Sequence, residues 1–272
     1  MTHIWKRTIL IAAIVAFAMN RPATADEAIE EALAATFRIT DHKTSGTGFL
    51  VWSESGDDQQ PSKPLLVTAA HVLEGFPGAS CSLILRARNA DDSYARKETT
   101  ISIRDGDKVR WKRHSKQDIA ALRIDLPEGT AAKPLAVRQL ADETWAIGRK
   151  VRVGKDVYIP CFPATLEANE AGWPVLRKGS IATHPLVPLR TAQTMLIDSS
   201  AFGGDSGAPV VMTDGNEAVV VGMVLGMQRQ TDKSSMPFEE RTMHTPLGLA
   251  IAVQAPLIRE TIDLVLKESP SQ

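Results

Sequence analysis

The chain has 272 residues, 31 basic and 32 acidic side chains, and is 43% hydrophobic and 23% charged, a globular composition that excludes collagen-like, coiled-coil and disordered chains. A net charge of −1 lacks the concentrated basic surface that nucleic acid requires. Two cysteines and no CxxC pair exclude a disulfide-dense mini-domain and a zinc ribbon.

Lys6 and Arg7 precede an apolar run from Thr8 to Met19, and Ala23-Thr24-Ala25 follows shortly after. A basic start, a short apolar stretch and an A-x-A site make residues 1–25 a secretory signal peptide, cleaved after Ala25. The run is about 12 residues, and a membrane span needs roughly 20. Without this segment 28 basic side chains face 32 acidic ones, a net charge of −4. No later segment is long and apolar enough to span, so the expected product is exported, periplasmic or secreted, with no stable membrane anchor. In an oxidising compartment Cys81 and Cys161 can form one disulfide, or each can be a small buried apolar residue.

Residues 26–35 (DEAIEEALAA) read as a short helix with acidic residues in its first turn. Short apolar segments bounded by Gly, Pro, Asp and Ser follow at 37–40, 48–52, 65–69, 82–88, 99–103 and 119–124. A second series lies at 150–153, 157–162, 165–168, 180–182, 195–198, 208–212, 218–225 and 248–251. Many short strands of this kind predict an antiparallel sandwich or barrel. The mixed stretch 125–145 reads as a connection between the two clusters, and the polar, proline-bearing loop 54–64 as exposed. Leu257, Ile258, Ile262, Leu264 and Val265 recur at helical spacing, so the chain closes with a packed helix over about 254–267.

Three segments carry chemistry. In Val67-Thr68-Ala69-Ala70-His71 small residues let backbone pack behind an imidazole that can act as a base. Asp118 leads the largely apolar run to Ile124 and is placed to hold an imidazole in one tautomer. In 203–210 (GGDSGAPV) glycines surround Ser206. Such a turn exposes the hydroxyl and gathers backbone N–H groups at one point. His42, His114, His184 and His244 have no comparable context and read as surface or loop residues.

SGTGFLV (45–51), VTAAHVLEG (67–75), DIAALRI (118–124) and GGDSGAPVV (203–211) resemble the trypsin-like, chymotrypsin-fold serine proteases. The resemblance covers roughly residues 36–255. IDSSAFGGDSGAPV (197–210) and TPLGLAIAV (245–253) are also similar to the protease domain of bacterial Deg-type enzymes, whose C-terminal peptide-binding domain has no room here. The resemblance implies an all-β fold of two packed six-stranded antiparallel barrels, about 36–125 and 146–253, within one domain over 26–272. It implies a serine endopeptidase acting on polypeptides through an acyl-enzyme, with Ser206 as nucleophile, His71 as general base and Asp118 orienting it. The N–H groups of Gly204 and Ser206 form the implied oxyanion hole. No metal and no organic cofactor is implied.

The chain departs from the animal enzymes in two ways. No activation sequence beginning Ile or Val stands near the expected mature start, so Asp205 needs another partner. Val72 stands where a cysteine usually flanks the histidine. The resemblance also implies a primary pocket with Ser200, six residues before Ser206, at its base, offering no charge to a substrate side chain, and with Leu225 and Met227 narrowing it for a small or medium apolar one. Two other readings compete. One is a trypsin-like fold that is inactive or latent and serves as a binding module. The other is an α/β-hydrolase esterase, which leaves TAAH and DIAALRI unexplained and needs Gly where Ala208 stands.

Overall fold

The computed structural model describes residues 25–53, 63–149, 151–236 and 239–268. The signal segment through Thr24, residues 54–62 of the polar loop and Lys150 lie outside these residues. Among the described residues no helix is long and apolar enough to cross a membrane.

Helix α1 (Ala25–Ala35) leads into β1 (Thr36–Thr40), β2 (Ser45–Trp52) and β3 (Leu65–Thr68), then the short α2 (Ala70–Glu74). Next come β4 (Ser80–Arg88), β5 (Tyr94–Ser102), three two-residue strands, β6 (Arg104–Asp105), β7 (Lys108–Val109) and β8 (Lys112–Arg113), then β9 (Ala120–Arg123) and β10 (Leu135–Ala136). These form a sheet in the order β5-β4-β1-β2-β3-β9-β8, with β10 beside β2 and β6-β7 as a separate hairpin. After α3 (Glu143–Gly148), the strands β11 (Asp156–Cys161), β12 (Val175–Ile181), β13 (Thr194–Asp198), β14 (Pro209–Asp214), β15 (Glu217–Met236) and β16 (Glu239–Gln254) close a barrel in the order β11-β12-β13-β16-β15-β14. Helix α4 (Ala255–Leu266) ends the chain and packs Leu257, Ile258, Ile262 and Val265 inward.

The fold is all-β with short flanking helices, as the residues predict, but only the second half closes into a six-stranded barrel. The first remains an open sheet because the chain between β5 and β9 breaks into two-residue pieces around a tight turn at Gly106, where φ is +56°. No strand there is long enough to join the sheet's two ends. Imperfect alternation in the sequence also finds its cause: Gly46 through Val51 of β2 and all four residues of β3 are buried. A sheet covered on both faces selects continuous apolar runs rather than alternating ones.

Residues 165–168 are not a strand. Their first residue ends a 3-10 turn (Pro163–Thr165), in which Ala164 and Thr165 have φ of 49° and 69°. Residues 151–153 are not a strand either. Part of the expected connection is helical, with Asp142 capping α3 by accepting from the Trp145 N–H at 2.6 Å. The strands expected at 218–225 and 248–251 are parts of the two longest elements, β15 and β16.

Of the two readings of the cysteines the structure takes the second: Cys81 and Cys161 are both free and buried. Cys81 lies on β4 in the first half and Cys161 ends β11 in the second, each inside its own packing. Burial pushes the Cys81 thiol up to about 12, so it behaves as a small apolar residue.

Arg86 is fully buried between the rings of Phe37 and Trp173, its guanidinium carbon 4.3 and 4.2 Å from their centroids. It donates to the carbonyls of Leu33 at 3.3 Å and Ala34 at 3.1 Å, which end α1, to Thr36 O at 3.1 Å on β1, and to Gly172 O at 3.1 Å in the second half. Burial lowers its pKa to about 10, so it stays charged at neutral pH. Arg86→Met orphans those carbonyls and is expected to lower unfolding stability by about 3 kcal/mol or more. Denaturant titration checks this, and a change under about 1 kcal/mol contradicts the clamp.

Candidate active site

The antiparallel pairing of β3 with β9 sets Thr68 opposite Ala120. His71, three residues past Thr68, and Asp118, two residues before Ala120, therefore meet at one end of the sheet. His71 sits in the first turn of α2, behind Ala69 and Ala70, both fully buried. One Asp118 oxygen accepts the His71 backbone N–H at 2.9 Å, and the other lies 2.5 Å from His71 Nδ1. The carboxylate thus fixes both the position and the rotation of the ring, placing the proton on Nδ1 and leaving Nε2 as an acceptor.

The ring hydrogen bond to Asp118, working against burial, raises the His71 pKa above the ordinary histidine value. Burial alone would raise the Asp118 carboxyl, but its hydrogen bonds from the His71 ring and backbone outweigh this and hold it below the usual range.

His114 is a correction to the reading of the spare histidines. It is only 6% exposed. Its Nδ1 accepts the N–H groups of Lys116 at 3.2 Å and Gln117 at 3.0 Å, and its Nε2 faces Glu260 of α4 at 3.1 Å. It thereby shapes the turn that delivers Asp118. His42, His184 and His244 are exposed.

Ser206 lies in the turn that enters β14. Gly204 and Gly207 have φ of +99° and +91°. A Cβ at Gly204 would meet Phe162 O at 2.3 Å, and one at Gly207 would meet Thr47 O at 1.9 Å. Only glycine fits either place. Thr47 joins this turn to the first sheet. Its N–H donates to Ser206 O at 2.9 Å and its hydroxyl to Gly204 O at 2.7 Å. Thr68 in turn donates to Thr47 O at 2.7 Å. No role for Thr47 was read from the sequence, where the only signal is a hydroxyl inside a buried apolar strand.

Gly203 O accepts the Ala164 N–H at 2.6 Å. Because the peptide bond is trans, this turns the Gly204 N–H the opposite way. Among the described residues neither the Gly204 nor the Ser206 N–H donates to a backbone carbonyl. Two such N–H groups, with one residue between them, are what an oxyanion needs. The Ser206 hydroxyl donates to Leu225 O at 3.1 Å and not to His71.

Asp205 is 3% exposed. One of its oxygens accepts the Phe202 N–H at 2.8 Å and lies 3.3 Å from Arg177 Nη1. Burial raises its pKa, against the Phe202 N–H, the Cys161 thiol and Arg177. The partner that the sequence left open is therefore Arg177 on β12, which also stacks over Phe202 at 5.2 Å. Of the three residues read as a specificity slot, Ser200 is exposed, while Leu225 and Met227 are half-buried against the barrel core. Of these three, among the described residues, only Leu225 is hydrogen-bonded to the turn at Ser206. Among the described residues no cluster of His, Cys, Asp or Glu could hold a metal.

Two crystal structures are similar in chain trace. Rv3671c from M. tuberculosis H37Rv, a serine-to-alanine mutant in an inactive form, is 16% identical, covers 93% of this chain and 98% of its own, and has a TM-score of 0.49. The scabies mite inactivated protease paralogue S-I1 is 15% identical, covers 88% and 97%, and also scores 0.49. A search of curated proteins finds no match. The sequence profile of the trypsin-like peptidase domain matches residues 46–223. That span is more than half of the chain, runs through His71, Asp118 and Ser206, and shows that the chain belongs to the trypsin-like peptidase family.

Proposed function

We propose that this chain is an exported serine endopeptidase that hydrolyses peptide bonds through Ser206, His71 and Asp118. The observation that carries the reading is the two-point grip of Asp118 on His71, at 2.9 and 2.5 Å, which holds an imidazole in the orientation a general base needs. In this mechanism the Ser206 hydroxyl leaves Leu225 O and turns to His71 Nε2. Such hydrogen bonds commonly tighten only with substrate in place. His71 takes the proton as Ser206 attacks the scissile carbonyl. The Gly204 and Ser206 N–H groups hold the oxyanion, and the imidazolium protonates the leaving amine. Water, activated by the same base, then releases the acid. No cofactor takes part, and export follows from the signal segment.

The hydrogen bond from Ser206 to Leu225 favours a second reading, a non-catalytic binding module. A fluorophosphonate probe separates the two. The expected result is a single adduct on Ser206 of the folded protein, absent from Ser206→Ala, on a chain whose mass starts it at Asp26. A folded protein that takes no label would overturn the peptidase reading, and an unprocessed N-terminus the export reading.

A further inference from the structure

The residues on both sides of Asp118 are anchored to residue 114. Ile119 O accepts the His114 N–H at 3.0 Å. Gln117 donates its N–H to His114 Nδ1 at 3.0 Å, and Lys116 donates to the same atom at 3.2 Å. The Ile119 N–H closes the loop on Gln117 O at 3.0 Å. The Gln117 side chain donates to Gln193 Oε1 at 2.6 Å, which ties the loop to the half that carries Ser206.

Asn and Asp commonly hold a turn in this way, by accepting N–H groups two and three residues on. Histidine does so only with Nδ1 unprotonated, so its ring proton is on Nε2. There it is donated to Glu260 Oε2 of α4 at 3.1 Å. The ring is 6% exposed, beside the place where α4 packs against β8. What the loop must deliver is demanding. Asp118 presents one oxygen to the His71 N–H and the other to Nδ1. Misplacement of such groups by about 1 Å can cost about a hundredfold in rate.

We propose that His114 is a positioning residue: its Nδ1, turned toward the loop by the bond from Nε2 to Glu260, sets where Asp118 meets His71. The effect on rate rests on the peptidase reading, but the grip of Asp118 on His71 can be read without turnover. The charged groups that face His71 are Asp118, Glu74 of its own helix and Arg113 at the end of β8. Glu74 and Arg113 pair with each other and act on the ring in opposite directions, so Asp118 governs how His71 titrates.

The test follows the His71 imidazole by NMR through a pH titration of protein labelled with nitrogen-15 histidine, and measures kcat and KM on a chromogenic peptide. Asp118→Asn supplies the reference for a lost grip. His114→Leu occupies the same buried place without an acceptor. It is expected to move the His71 midpoint to lower pH by at least half of the Asp118→Asn shift. It should also lower kcat about 10- to 100-fold, with KM changed less than about threefold. His114→Asn places an oxygen near the position of Nδ1, and is expected to restore the wild-type midpoint and to bring kcat back within about threefold. An unmoved midpoint in His114→Leu, whatever its thermal stability, overturns the proposal, because the ring then only packs. A shift that His114→Asn fails to reverse overturns it too. If His114→Leu does not fold, His114→Asn decides: a wild-type midpoint supports the acceptor role, and a midpoint displaced toward that of Asp118→Asn overturns it. If Ser206 takes no label and no peptide is cleaved, the peptidase reading falls, and the titration of His71 still decides the role of His114.

Discussion

Ser206→Ala and His71→Ala are each expected to lower kcat by about 10⁴-fold or more while the protein stays folded. Neither side chain is structural. Ser206 is half-buried and its hydroxyl makes one hydrogen bond, to Leu225 O. His71 exposes 47% of its side chain, and the glycines and Thr47 that build the nucleophile turn remain in place. The double variant should be little slower than either single one, because nucleophile and base act as a unit. Single-turnover kinetics of the three proteins check this. Near-normal rates in either single variant, or strictly multiplicative losses in the double, would contradict the assigned roles.

Asp118→Asn is expected to cost about 10⁴-fold in kcat without moving the backbone. The amide oxygen can still accept the His71 backbone N–H, but the amide nitrogen then faces Nδ1. An N–H there forces the ring proton onto Nε2, the atom that must accept from Ser206. The same variant has a pH signature. The proposed mechanism needs neutral His71, so wild-type activity is expected to fall as pH drops through its pKa, which the Asp118 hydrogen bond raises above the ordinary value. Without that bond the acid limb of residual kcat/KM should move to lower pH. An unchanged acid limb would show that Asp118 does not set the titration of the base.

How much of this was legible in the chain depends on the range over which each feature is encoded. The turn at Ser206 was legible because positive φ at Gly204 and Gly207 demands glycine, and that demand is written in adjacent residues. The region of His71 was legible because Ala69 and Ala70 are small where backbone must pack. Arg177 was not legible as the partner of Asp205. It lies 28 residues away on another strand, and nothing in its neighbours distinguishes it from a surface arginine. The same holds for Arg86, whose four carbonyl acceptors come from both halves, and for His114, whose burial depends on α4 arriving from residue 255 onward. The length of β15 and β16 was hidden for a different reason. Polar residues exposed on both faces of a ribbon carry no apolar period, so the strand signal stopped where the barrel stopped.

By itself, then, the sequence determined the all-β class, the flanking helices, and the glycine-bounded turn at Ser206, because periodicity, small-residue packing and glycine dihedrals act between near neighbours. The tertiary structure alone decided that Cys81 and Cys161 remain separate thiols, and that Thr47, Arg177 and Ala164 hold the turn at Ser206. Those outcomes rest on contacts between residues tens to more than a hundred positions apart. Chain closure and packing choose such contacts, and local composition does not.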